Sequence, residues 1–80
     1  MRSRSIAQIA GTMGMRQWEE LEVHIGLALK HGVTPDEVVE VLLQMTVYGG
    51  QAMGHKAYLI ATKVFRERGI DERPNGEPAR

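Results

Sequence analysis

Residues Trp18 to Gly50 read WEELEVHIGLALKHGVTPDEVVEVLLQMTVYGG. Two helices joined by one tight corner account for this stretch. Trp18, Leu21, Ile25, Ala28 and Leu29 recur at three- and four-residue spacing, the period of an apolar helix face. Gly32 can take the left-handed backbone that ends such a helix. Thr34, Pro35 and Glu37 then announce the next one. Thr34 caps, Pro35 occupies the first helical position, and Glu37 reaches back to complete a capping box.

Outward from this pair, the spacing of Ile6, Ile9, Ala10 and Met13 predicts a first helix from Ser3 to about Met13, capped by Ser3 or Ser5. Gly11 and Gly14 weaken it and place a break near Gly14. The second helix is expected over Gln17–His31 and the third over Pro35–Tyr48, stopped by Gly49-Gly50. The fourth runs from Gln51 to Arg68 and stops at Gly69. No strand alternation and no internal repeat occur, so the fold class is all-α, with one helical domain over residues 4–68. Residues 69–80 are polar and rich in Pro and Gly, and are expected to be a disordered tail.

The third helix is apolar nearly all round. Val38, Val41, Leu42 and Met45 make one stripe, and Val39, Leu43 and Val47 a second. Helix four adds Met53, Ala57, Ile60 and Val64 on one side and Tyr58, Ala61 and Phe65 on another. Helices that present two apolar faces need neighbours on two sides. Four short helices in one chain cannot cover that surface, so self-association is expected.

Composition narrows the function. Eighty residues make one domain. A chain of this size buries only ~60–65% of its unfolded surface, which leaves its own core marginal. The absence of cysteine excludes disulfides, thiolate metal sites and CxxC redox chemistry. Ten basic and ten acidic residues cancel, so no global field favours nucleic acid or an anionic membrane. The start, MRSRSIAQIAG, lacks the apolar run of a signal peptide, and no segment approaches a membrane span. The expected location is cytoplasmic.

Three histidines and a polar line are the chemical candidates. His24 shares a helical line with Gln17, Glu20 and His31, beside the apolar face. Glu20 and His24 are i,i+4 neighbours that can pair directly. Such a carboxylate raises a histidine's pKa and orients its ring, as a general acid or base requires. Spacing alone leaves a second reading open, an ordinary boundary histidine in a surface pair. His31 falls in a last helical turn, where a cation suits the helix dipole. His55 begins the fourth helix in a Gly-rich corner. Glu37, Glu40, Gln44 and Tyr48 form one narrow line on the third helix, either a solvated stripe or a polar seam. Glu37 and Glu40 with His24 would be the sole metal-ligand set, and no ExxH or HxxxH pattern supports it, so no metal is expected. Gly49-Gly50 lacks the strand and lysine of a phosphate loop. The helix pair around Gly32 is too apolar and acidic to lie against DNA.

Arg4 to Ala10 (RSIAQIA), Trp18 to Gln44 and Val47 to Gly50 (VYGG), followed by an alanine-rich helix, resemble the carboxymuconolactone decarboxylase family. The resemblance covers about Arg4 to Arg68. It implies an AhpD-like orthogonal bundle of about four helices, completed by ring-like homo-oligomerisation, often a hexamer. The name-giving member of the family removes CO2 from 4-carboxymuconolactone in aromatic-compound catabolism (the β-ketoadipate pathway), without a cofactor. The departing carboxylate is vinylogous to the lactone carbonyl, so the lactone itself accepts the electron pair as a dienolate. The protein then needs to bind carboxylates, stabilise an oxyanion and deliver a proton.

By position, the resemblance implies that His24 is the proton donor or oxyanion stabiliser and that Glu20 orients it. It implies that Arg4 holds a substrate carboxylate and that Tyr48 closes the pocket. Relatives with alkylhydroperoxidase activity carry a CxxC whose cysteines fall at Gln17 and Glu20, so peroxidase activity is excluded here. Two departures stand out. Family members usually have some tens of residues before the RS segment, which opens this chain. Their corner usually reads Y-A-G-x-P, whereas this one reads Tyr48-Gly49-Gly50-Gln51-Ala52. The reading is a carboxy-lyase, or an enzyme of a related proton-transfer step, acting on a small carboxylated lactone, with no cofactor, no nucleic acid and no membrane. The rival is a non-catalytic helical oligomerisation module derived from the same fold.

Overall fold

The computed structural model describes residues 2–70. Among them the chain forms helices α1 (Arg2–Gly14), α2 (Trp18–Lys30), α3 (Pro35–Gly49) and α4 (Gln51–Glu67), and no strand. The all-α reading is therefore correct. None of these helices is long and apolar enough to cross a membrane.

The corner at Thr34 is built as its residues dictate. Thr34 Oγ1 accepts from the Glu37 N–H at 3.1 Å, and Glu37 Oε1 accepts from the Thr34 N–H at 2.8 Å. Two helix-start donors are thus paired, with Pro35 beside them where no N–H is missed.

Helices α1, α2 and α4 end in the same way. After α2, the Gly32 N–H bonds the Leu29 carbonyl and the Val33 N–H bonds the Ala28 carbonyl, at 3.2 and 3.0 Å. After α4, Gly69 bonds Arg66 and Ile70 bonds Phe65, at 3.1 and 2.9 Å. After α1, Arg16 bonds Met13 and Gln17 bonds Thr12, at 3.0 and 2.9 Å. These paired bonds are Schellman closures, which need one left-handed residue each. Gly32 and Gly69 supply it at φ 95° and 72°, but after α1 it is Arg16, at φ 57°. The helix ends at Gly14, where the break was expected, and the left-handed residue of the closure follows two positions later. A Cβ on Gly14 would come within 3.3 Å of Met45 Cε, so α1 and α3 approach closely here. Gly69 and Ile70 close α4, with Ile70 packed on the core. The rest of the expected tail, residues 71–80, lies outside the described residues.

The helices pack in a ring. α1 lies against α2 and α3, and α4 lies against the same two, with little contact along either diagonal. The core fills from all four: Ile9 and Met13; Leu21, Ile25 and Ala28; Val38 and Leu42; Met53, Ala57, Ala61, Val64 and Phe65. Trp18, Leu29, Val41 and Ile60 pack on its margin. A 3.0 Å ion pair between Glu22 and Lys63 ties α2 to α4, and the carboxylate's hydrogen bond and charge raise the lysine's pKa.

Between α3 and α4 the turn is one residue long. Gly49 remains helical, and Gly50 alone, at φ 92° and ψ 167°, ends one helix and starts the next. That combination is essentially confined to glycine. Further along, a Cβ on Gly54 would overlap the Thr46 side chain, so the two helices meet backbone to side chain here. The first stripe of α3 is covered. Of its second stripe, Val39 packs on the core margin, but Leu43 and Val47 are bare, 57% and 78% exposed.

Gly50→Ala should therefore lower stability by about 1–3 kcal/mol, the strain of a side chain in that backbone region. Arg16→Gly should act oppositely. Relieving ~1–2 kcal/mol of left-handed strain outweighs ~0.5–1 kcal/mol of added chain entropy, a net gain of a few tenths to about 1 kcal/mol. Urea denaturation midpoints of the two variants, read against wild type, check both signs.

Candidate functional site

His24 occupies the boundary that its spacing predicts. Its side chain is 20% exposed, on a helix whose neighbouring Leu21, Ile25 and Ala28 are fully buried. Nε2 lies 4.0 Å from Glu20 Oε1, one turn back on α2, and that carboxylate is 63% exposed. The pair is at ion-pair range but beyond a hydrogen bond. On the other side of the ring, Nδ1 is buried and has no hydrogen-bond partner among the described residues. An unpaired buried nitrogen of this kind typically costs about 1–3 kcal/mol.

Glu20 opens onto a recess of about 420 Å³ at the start of α2, lined also by Arg16, Gln17, Trp18 and Glu19. Arg16 continues into a second recess of about 360 Å³, where the end of α1 meets the α3–α4 corner. Tyr48 lines this second recess and is 81% exposed. Glu20 and Tyr48 thus line two recesses that share Arg16, while His24 lines neither and pairs with Glu20. Arg4 lines neither recess either. It is exposed on the first turns of α1, and Gly14, which lines the second recess, is about 15 Å further along that helix. Sequence reasoning passed over Arg16, since neither its spacing nor its neighbours mark it.

The polar line on α3 is largely self-contained. Glu37 serves the helix cap, and Gln44 Nε2 donates to Glu40 Oε2 at 3.2 Å. No three metal-ligating side chains converge among the described residues, so Glu37, Glu40 and His24 do not assemble within the chain. His31 caps α2, its N–H bonding the Leu27 and Ala28 carbonyls. His55 is exposed and lines an apolar recess of about 380 Å³ between α3 and α4, together with Thr46 and Tyr58.

The profile of the carboxymuconolactone decarboxylase family matches residues 1–63, a span that includes Arg4, Arg16, Glu20, His24 and Tyr48. The chain belongs to this family. It is similar to the 4-carboxymuconolactone decarboxylase of Acinetobacter baylyi, with 32% identity over 68 residues. The match takes in 85% of this chain and 51% of that protein, so the chain spans about half the length of the curated relative it matches. No solved structure matches it significantly.

Buried polar atoms are nearly always paired, so the unpaired Nδ1 makes His24 the residue to test. His24→Leu fills a similar space and removes the orphan, leaving Glu20 free in water. It should keep the fold and raise stability by about 1 kcal/mol, or leave it unchanged. A loss of more than about 2 kcal/mol in thermal or urea unfolding would mark His24 as a packing residue instead.

Proposed function

We propose that this chain is a cofactor-free carboxy-lyase acting on a small carboxylated lactone, in the manner of 4-carboxymuconolactone decarboxylase. The observation that carries the reading is His24, retained at the edge of the core with its Nδ1 orphaned and its Nε2 directed to Glu20. Family membership supports the same chemistry.

In this reading the bond between the lactone ring carbon and its carboxylate breaks, and CO2 leaves. The electron pair passes through the ring double bond to the lactone carbonyl, giving a dienolate. His24 stabilises that oxyanion or returns a proton to carbon, with Glu20 orienting its ring. Tyr48 borders the substrate. The ring itself is the electron sink, so the step calls for no added cofactor.

The same proposal includes self-association into a homo-oligomer, up to a hexameric ring. Leu43 and Val47 on α3, Val23 and Leu27 on α2, and Leu59 on α4 are all exposed, and a second copy would cover them. A second reading, a non-catalytic oligomerisation module, draws on this bare surface and on the half-length match.

Lactone turnover followed by absorbance separates the readings. His24→Leu should lose about 10²–10⁴-fold in rate, the usual cost of removing a positioned proton donor. His31→Ala, at the α2 cap, should change little. Wild-type protein that turns over no small carboxylated lactone, yet assembles by light scattering, would favour the module. A monodisperse monomer at micromolar concentration would remove the assembly.

A further inference from the structure

Two recesses meet at Arg16, and they differ in sign. The one at the start of α2 carries Glu19 and Glu20 as well as Arg16, so an anion entering it meets two carboxylates. The other is lined by Gly14, Arg16, Met45, Tyr48, Gly49 and Met53, and Arg16 is its single charged residue. Neither the Arg16 guanidinium nor the Tyr48 hydroxyl makes a hydrogen bond or ion pair among the described residues. The chain also holds Arg16 in left-handed backbone, at a position where glycine would cost less.

We propose that this second recess binds the carboxylate of a small organic acid, with Arg16 as the anchoring cation and Tyr48 as a hydrogen-bond donor. A guanidinium presents paired N–H groups that match a carboxylate's two oxygens. Its volume of about 360 Å³ is at the small end of ligand sites. Met45 and Met53 give it adaptable apolar walls. A Cβ on Gly49 would overlap the Met53 side chain, so the glycine lets that wall sit where it does. Arg4 does not line the recess, so within one chain Arg16 is the group placed to take the carboxylate. As a substrate subsite, this rests on the decarboxylase reading; as a carboxylate site, it does not.

Trp18 is the only tryptophan and lines the adjoining recess, so its emission reports on binding. Glutarate should change that emission saturably, with calorimetry confirming it, whereas uncharged glutaramide should not. Arg16→Gly, which relieves backbone strain and so preserves the fold, should weaken glutarate by about tenfold or more. Tyr48→Phe should weaken it by about two- to tenfold. Arg66→Gln, which removes a positive charge at the far end of α4, should leave affinity within about twofold, as expected for a screened exposed charge. Equal glutarate affinity in wild type and Arg16→Gly would overturn the proposal, as would loss of binding in Arg4→Gln but not Arg16→Gly. Arg16-dependent binding without lactone turnover would uphold this site and remove the decarboxylase reading. Turnover with both KM and glutarate affinity unchanged in Arg16→Gly would do the reverse.

Discussion

The fold depends on how closely α4 can approach α3. One residue, Gly50, reverses the chain between them, in backbone that a side chain would strain. Gly54 then lets the Thr46 side chain sit where a Cβ would stand. Only with both in place does α4 reach across to α2, carrying Met53, Ala57, Ala61, Val64 and Phe65 into the core. The missing proline after the corner is compatible with this geometry, because the glycine itself provides the turn.

Much of this architecture could be read from the residues. The Thr34-Pro35-Glu37 start is a local device whose hydrogen bonds involve residues three apart, so its chemistry is legible without tertiary structure. Apolar spacing located all four helices because burial follows period. The end of α1 near Gly14 was legible, but the residue that closes it was not. A left-handed cap is usually glycine, and here it is Arg16, which nothing in the local sequence marks. At α4, Gly69 and Ile70 belong to the closure of the helix, because Ile70 reaches the core.

The candidate site was legible in part, for the same physical reason. Glu20 and His24 lie one turn apart on one helix, and any helix brings such a pair together. What the spacing left open was burial, which depends on how the other helices pack against α2 and not on the α2 sequence alone. Arg16 comes from the turn after α1 and Tyr48 from α3, and their proximity exists only once α1 docks against α3. No period or motif encodes such a meeting.

The ring arrangement also bears on motion. Each helix of the ring is held along two flanks, but α1 brings just Ile9 and Met13 to the buried apolar core, whereas α4 brings Met53, Ala57, Ala61, Val64 and Phe65. Detaching α1 would leave α2, α4 and α3 still joined in sequence. Local opening in native proteins follows such lines of fewest buried contacts. Amide hydrogens of α1 would then exchange with solvent sooner than those of α4, and the wall formed by Gly14 and Arg16 would open and close with that helix.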